Sequence, residues 1–380
     1  MSEIDAVLAN PRGRRFCFEV AAVLDEDIRG ALWTVSSRSD DEDVAASLTG
    51  ALRAIDTASV GALSEQVVTE CLADAVCEAR YWQEPDPEDV VLARPDVANA
   101  LAPLAATLLT ADATSWWRSP ADLDDQRFVE WLGEYATEPP SLSGSRERLA
   151  RWRDDTVAEE ERAARELPTD PRASFSGAWW SAPPTDGLAH TSRARPWLGA
   201  IQLLLTEDDA GWEHARVWPL RPTREVRVFE ITGPEAWAAL VDGYPLRLTA
   251  SRRHDWWRTT GVDTEWYIPD WTAVAQDYDA VHLTMVGYLT TPGTAIPVRG
   301  GATVLAGWNP DETYWLADLL EPAGEPVEWE RRDTGRDHDE WMSVASGTRR
   351  PVRSPGERNP QRPGRRMPPS YTDQATTGNG

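Results

Sequence analysis

The stretch 254–316 holds most of the side chains that could do chemistry, and six of the chain's 20 tryptophans lie in it. Within it, residues 279–286 read DAVHLTMV, so on an extended chain His282 points away from its two apolar neighbours. An imidazole can exchange protons near neutral pH, and Asp277 or Asp279 could orient it. We predict His282 as a catalytic residue; the alternative is a structural histidine packed among tryptophans.

A second candidate lies in residues 309–316, NPDETYWL, where a turn leads into a predicted strand. Asp311 and Glu312 are adjacent, and adjacent residues of an extended chain point to opposite sides. Only one of the two carboxylates can therefore reach a given site. We predict Glu312 as the catalytic one, with Tyr314 as a ligand-binding ring. The alternative is a surface acid, because Asn-Pro-Asp favours a turn by itself.

The third candidate is the segment RRHDWWRTTG at residues 252–261. Guanidinium groups beside indole rings can hold an anionic ligand with a flat ring, by charge and stacking together. On an acidic chain they form a local positive spot. The alternative is that these arginines only cover tryptophans at a domain edge. The predicted ligand-binding residues are Arg252, Arg253, Trp256, Trp257 and Arg258.

Residues 190–193, HTSR, add a base and two hydroxyl groups in a predicted loop. If the sheet brings them together with Arg227, the Trp256 and Trp257 pair and Glu312, the set resembles an ADP-ribosyl-transfer site. In that family an Arg or His, a hydroxyl or aromatic residue, and a glutamate hold NAD and polarise its glycosidic bond. The resemblance rests on residue types and their order, and it implies an enzyme that acts on a nucleotide-like substrate.

Composition and motifs exclude several enzyme classes. All 38 lysine-or-arginine positions are arginine, so a Schiff-base lysine, a phosphate-loop lysine and a Ser-x-x-Lys hydrolase are excluded. Gly-x-Gly-x-x-Gly, His-Glu-x-x-His, Gly-x-Ser-x-Gly and calcium-loop patterns do not occur. Cys17, Cys71 and Cys77 form no Cys-x-x-Cys pair and are predicted as buried apolar residues. We therefore predict neither a metal nor a cofactor.

The net charge of -25 restricts the partners of the chain. Such a charge repels nucleic-acid phosphates and anionic membrane surfaces, so we expect nucleic-acid contact only through the arginine-rich C-terminal tail. No apolar run reaches the roughly 18 to 20 residues of a membrane span, and the N-terminal segment lacks a signal-peptide core. The expected location is the cytoplasm, without membrane contact.

Elements of two kinds must position the candidate side chains. Up to residue 144 the apolar residues recur three or four apart, which predicts a helical domain over 1–144. Residues 145–169 are crowded with Arg and Glu and predict a charged helical connector. The predicted helices of the first domain are 15–24, 43–55, 59–81, 95–110 and one opened by Ser119-Pro120, with Leu123, Phe128, Trp131 and Leu132 facing inward.

Residues 170–344 show short alternating runs broken by Gly and Pro, which predict a Trp-rich sheet domain. Short helices are predicted at 235–241 and 271–276, so the fold class is a two-domain α+β protein with a largely antiparallel sheet. Residues 345–380 are rich in Pro, Gly and Arg and predict a disordered tail. The predicted strands are 174–181, 200–205, 214–220, 226–231, 246–250, 266–268, 280–286, 303–307 and 313–316.

Because no catalytic set is complete, the leading hypothesis is a binding or regulatory protein. Its Trp-rich C-terminal domain would recognise an unidentified protein partner or a small anionic ligand. The alternative is an enzyme for a nucleotide-like substrate, with ADP-ribosyl transfer as the implied reaction. In that case Glu312 or His282 does acid, base or electrostatic work and the arginine cluster binds phosphate.

Overall fold

Helices and antiparallel strands both occupy large parts of the chain. The computed structural model describes residues 2–37, 42–207, 209–333 and 339–344. The predicted tail at 345–380 lies outside the described residues. The arrangement confirms that the chain is mixed α+β with largely antiparallel strands. The α-helices are α1 (Glu3–Ala9), α2 (Pro11–Leu24), α3 (Asp27–Ser37), α4 (Glu42–Ala54), α5 (Glu65–Cys77), α6 (Pro87–Leu92), α7 (Pro95–Leu108), α8 (Ser145–Glu166), α9 (Pro234–Gly243), α10 (Thr249–Thr260), α11 (Trp271–Asp277) and α12 (Met285–Thr290).

The N-terminal helices follow local signals in the sequence. α2 begins after Asn10, whose side chain accepts the Arg12 N–H at 2.9 Å, and Pro11 occupies the first turn, where no amide donor is needed. α2 packs on α5 and α7 through apolar faces. The predicted helices at 15–24, 43–55 and 95–110 are confirmed, and the one at 59–81 is divided into the 3-10 helix Thr57–Ala62 and α5.

The sheet strands begin earlier in the chain than predicted. The largest sheet has five strands in the order β1-β3-β12-β13, with β11 also paired to β3. A second sheet has the order β2-β10-β7-β4, in which only β4 and β7 run parallel. The strands are β1 (Gln126–Leu132), β2 (His190–Thr191), β3 (His214–Pro222), β4 (Val228–Ile231), β5 (Pro245–Arg247), β6 (Tyr267–Pro269), β7 (Ala280–Leu283), β8 (Ile296–Val298), β9 (Gly301–Thr303), β10 (Thr313–Trp315), β11 (Leu320–Pro322), β12 (Val327–Arg332) and β13 (Glu340–Ser343).

The prediction of a helix after Ser119-Pro120 was wrong, because most of that segment forms β1. Its inward residues Phe128, Trp131 and Leu132 are spaced as on a helix, which produced the error. All seven residues of β1 pair antiparallel with β3, from Gln126 opposite Leu220 onward. Phe, Val and Trp favour such a paired, half-buried surface. The partner strand lies far along the chain, so no local pattern could reveal it.

Several strand predictions also required correction. Residues 174–181 are irregular, and residues 200–205 contain the 3-10 helix Ile201–Leu203. The strand predicted at 280–286 ends at Leu283, because the Thr284 hydroxyl accepts the Gly287 N–H at 3.0 Å and starts α12. The strand predicted at 303–307 is displaced to β9.

The segment predicted as the strand 246–250 becomes helical at Thr249, where α10 begins. The carboxylate of Glu160 in α8 accepts the N–H groups of Ala250 and Ser251, each at 2.8 Å. An acid at a helix N-terminus pairs with otherwise unbonded amides. This acid comes from another helix, so the start of α10 carried no local signal.

The core continues from the helical segment into the sheets. One cluster of buried apolar residues runs from Val7 through α2, α5 and α7 to Trp308 and Trp341. α12 packs directly on α1 and α2, and α8 packs on α10 and α11. The domain boundaries stay a prediction, whereas the packing shows that helices and sheets share apolar contacts. A second cluster is centred on Trp256 and Trp266.

Candidate functional site

The neighbouring acids Asp311 and Glu312 lie just before strand β10 of the second sheet. Their side chains belong to different clusters. Asp311 precedes β10 with a left-handed backbone, φ 58°, a conformation that aspartate tolerates better than most residues. Its carboxylate accepts the Arg193 Nε–H at 2.7 Å and the Arg193 backbone N–H at 3.2 Å, and it lies 3.3 Å from His282 Nε2. Asp311 thus contacts His282, whereas Glu312 contacts a different histidine, His190.

His282 on β7 closes a buried charged network, which we call the Arg193–Asp311–His282–Glu230 quartet. Glu230 lies opposite His282 in the β4–β7 register, and its Oε2 is 2.6 Å from His282 Nδ1. Burial acts to lower the pKa of His282, but the hydrogen bonds to Asp311 and Glu230 outweigh it and raise that pKa. The quartet thus places one arginine and one histidine against two carboxylates.

Three members of the quartet are buried, and the Glu230 side chain is 25% exposed. Arg193 also donates from Nη2 to the Pro120 carbonyl at 2.8 Å and stacks over Trp116 at 5.1 Å. The His282 side chain is 1% exposed, and both ring nitrogens face carboxylates. A buried network with every member satisfied specifies structure strongly. This geometry supports the structural alternative for His282.

Glu312, the residue just before β10, forms a separate cluster. Its Oε1 lies 2.8 Å from His190 Nδ1 and accepts Gln202 Nε2–H at 3.1 Å. Asn309 donates its backbone N–H to Oε2 at 3.1 Å and its side-chain amide to Oε1 at 3.3 Å. These contacts surround both carboxylate oxygens of Glu312. Glu312 is therefore fixed in position rather than free to swing into a cleft.

His190, on the edge strand β2, is more accessible than His282. Its side chain is 16% exposed, whereas that of its partner Glu312 is 1% exposed. The imidazole stacks on Tyr314, with centroids 5.5 Å apart, and meets the edge of Phe128 at 5.4 Å. The predicted residues Glu312 and Tyr314 thus meet at His190, and His282 does not join them.

The ligand-binding residues predicted on α10 lie in different environments. Trp256 is fully buried against Trp266, and its Nε1–H donates to the Trp179 carbonyl at 2.7 Å. Trp257 is half-buried under Arg172, 5.4 Å from the ring centroid. Arg258 pairs with Asp255 and donates to the Trp82 carbonyl at 2.9 Å. Arg253 is half-buried, with no ion pair among the described residues.

Arg252 differs from these neighbours because its guanidinium is buried and forms no ion pair with any carboxylate of the described residues. The residue is 2% exposed, and Nη1 donates one long hydrogen bond, 3.3 Å, to the Ser251 hydroxyl. Its Nε has no hydrogen-bond partner among the described residues. Burial lowers the pKa of Arg252, although Glu159, Glu160 and Asp255 act in the opposite direction. The irregular segment 172–181 runs along this side of α10.

Sequence reasoning missed Glu230 and Gln202. An acid inside the apolar strand VFEI was the available signal for Glu230, because a charged residue there needs a partner. Gln202 lies in a short 3-10 helix and gave no signal. Arg227, part of the ADP-ribosyl-transfer resemblance, pairs with Asp279 at 3.3 Å, and Trp256 belongs to the second core cluster.

Within the described part of the chain, the geometry shows neither a metal site nor a membrane-spanning helix. The described residues contain no group of three or more His, Cys, Asp or Glu side chains placed to hold a metal ion. Burial raises the pKa of the Cys17 thiol to about 12 and also raises that of Cys71, which makes both thiols unreactive. No described helix is long and apolar enough to cross a membrane.

Comparison with known proteins gives no match: no family model, no curated protein and no solved structure is similar to the chain.

Proposed function

We propose that this chain is a binding or regulatory protein that recognises a small anionic ligand through Arg252. The observation that supports this is the contrast among its buried arginines. Arg12 pairs with Asp89 at 2.5 Å, Arg15 with Glu19 at 2.9 Å and Arg193 with Asp311 at 2.7 Å. Arg252 is as deeply buried and has no carboxylate within 4.0 Å among the described residues.

An unpaired buried charge is unfavourable. Removing an ion from water costs several kcal/mol, and the cost is repaid only by a well-placed counter-charge. The nearby carboxylates are engaged elsewhere: Glu160 caps α10, and Asp255 accepts from Ser176, Gly177 and Arg258. An anion from solution would supply the missing partner of Arg252.

The surroundings favour an oxyanion attached to a flat ring. A guanidinium offers a planar fork of donors that matches phosphate or carboxylate oxygens. The Arg252 Cζ lies 6.0 Å from the Trp180 ring centroid, which places an indole beside the charge. Arg253, Trp257 and Arg258 lie on the same helix and would add contacts at its rim. A ligand reaches Arg252 by displacing the irregular segment 172–181.

The enzyme alternative would need the arginines of α10 and Glu312 in one site. Arg252 packs beside Trp180, while Glu312 is bonded to His190 and Asn309. We therefore base the proposal on binding and not on ADP-ribosyl transfer.

The test compares thermal unfolding and calorimetric binding for wild type, Arg252→Met and Arg253→Met, with inorganic phosphate or adenosine monophosphate as the added anion. Ligand at about 100 times its Kd stabilises the folded state by about 2.7 kcal/mol. We expect wild type and Arg253→Met to gain stability with the anion, and Arg252→Met to gain none. Sodium chloride at matched ionic strength controls for screening.

Without ligand, Arg252→Met should be at least as stable as wild type, because methionine replaces an unpaired buried charge with an apolar side chain. That result also shows that the variant folds. An equal gain with phosphate in wild type and Arg252→Met, or no gain in wild type with either anion, contradicts the proposal.

A further inference from the structure

The Glu312 cluster fixes which nitrogen of His190 carries a proton. A carboxylate only accepts hydrogen bonds, so the 2.8 Å contact with Glu312 Oε1 requires a proton on His190 Nδ1. In the neutral ring, Nε2 is then unprotonated and presents a lone pair. Among the described residues, Nε2 has no hydrogen-bond partner.

A second unused acceptor lies beside the imidazole. Gln202 donates its Nε2–H to Glu312 Oε1 at 3.1 Å, and that nitrogen lies 3.3 Å from His190 Nδ1. The Oε1 of the same amide is buried and accepts no hydrogen bond among the described residues. Buried acceptors of this kind call for a donor from a ligand or a water molecule. His190 and Gln202 together therefore suit a ligand that carries hydroxyl groups.

His282 provides an internal contrast. Both of its nitrogens contact carboxylates and its side chain is 1% exposed, so it has no position for a substrate proton. His190 contacts one carboxylate, has a side chain that is 16% exposed, and has one nitrogen without a partner among the described residues. In general acid–base sites, a buried acid orients the ring through one nitrogen and the substrate meets the other.

We propose that His190 is the general base of an acyl-transfer site, with Glu312 as its positioning residue and an ester of a hydroxyl-rich compound as the substrate class. Nε2 takes the proton from water or an alcohol as its oxygen bonds to the acyl carbon. The bond from that carbon to the leaving oxygen breaks, and the imidazolium returns the proton to the leaving oxygen. This site uses none of the residues that contact Arg252, and neither proposal depends on the other.

The first test uses unaltered protein. Diethyl pyrocarbonate acylates unprotonated imidazole nitrogen, and peptide mass spectrometry reports each histidine separately. We expect His190 to be labelled much faster than the enclosed His282. Proton–nitrogen correlation spectra of histidine-labelled protein should show the Nδ1–H tautomer for neutral His190. An unlabelled His190, or a proton on Nε2 in the neutral ring, overturns the proposal.

The second test measures release of p-nitrophenolate from p-nitrophenyl acetate, with water as the nucleophile. We expect the protein-dependent rate to fall about tenfold or more in His190→Gln, and several-fold in Glu312→Gln. His214→Gln, on β3, is the matched control and should keep the wild-type rate. Circular dichroism checks that each variant is folded.

Glu312→Met, which has no acceptor oxygen for the Nδ1–H group, should abolish the preference for the Nδ1–H tautomer, a change that a packing defect alone would not produce. A wild-type rate no greater than that of buffer, or an unchanged rate in folded His190→Gln, would rule out His190 as the base.

Discussion

Asp311 combines an unusual backbone with a central charge. Its positive φ turns the chain into β10, and its carboxylate lies between the Arg193 guanidinium and the His282 ring. Because Asp311 lies in a turn and not in an extended strand, this turn, rather than the alternation of a strand, directs the next side chain, Glu312, to His190. The alternation rule correctly indicated that one site could use only one of these acids. It did not indicate that each acid would have a histidine.

The raised pKa of His282 predicts how stability changes with pH. Because its pKa is higher in the folded state than the ordinary value of about 6.5, protonation of His282 favours folding. This contribution is complete below about pH 6.5 and is lost as pH rises through the folded-state pKa. We expect the difference in unfolding free energy between wild type and His282→Gln to shrink as pH rises, as measured by urea denaturation. A difference that grows with pH would contradict this assignment.

At the scale of elements, helices α1, α2 and α12 pack very closely against one another. Gly13 in α2 lies so close to its neighbours that a Cβ there would be 2.1 Å from the Val7 carbonyl oxygen and 2.7 Å from that of Leu289. Both contacts are with backbone, which cannot rotate away. The helical segment and α12 therefore meet through a position that only glycine fits.

Gly13→Ala should destabilise the protein by about 1–3 kcal/mol or more, because the added methyl group forces backbone apart. Gly30→Ala is the control: Gly30 is exposed on α3, and a Cβ there meets nothing within 4 Å. Alanine in a helix interior is favoured over glycine by roughly 0.5–1 kcal/mol. Chemical denaturation measures the free energy of unfolding of both variants. Equal changes in the two variants would contradict the close backbone contacts at Gly13.

The elements also show how far a sequence can predict this structure. α7 and α8 carry their own signals, an apolar stripe and a run of paired charges, and both were predicted. β1 depends on pairing with β3, and α10 depends on Glu160 of α8. For the candidate site, Glu312 and Tyr314 were predicted beside each other, whereas Gln202 and Glu230 come from distant segments. Partners distant in sequence leave no local periodicity.

For the whole molecule, the continuous core bears on the predicted division into domains. Buried apolar side chains connect the N-terminal helices to both sheets, and β1 joins residues before 145 to the main sheet. Extensive apolar contact of this kind makes two parts of a chain unfold together.

We therefore expect a single cooperative unfolding transition, with the same midpoint by far-ultraviolet circular dichroism and by tryptophan fluorescence. The tests are complementary, because helices dominate the first signal and 14 of the 20 tryptophans lie at or beyond residue 179. Separate midpoints would instead support two independent domains. Equality of the calorimetric and van't Hoff enthalpies provides a second check.

The placement of Asp311 and Glu312 on one short turn has an evolutionary consequence. A single peptide unit sets the distance between the His282 and His190 clusters. Inserting or deleting one residue just before Thr313 would move each acid to the wrong face and separate both histidines from their carboxylates. Most surface turns change length readily during divergence, but a change in the length of this one would disrupt both clusters. Any descendant that keeps both clusters must keep the spacing from Trp308 to Thr313.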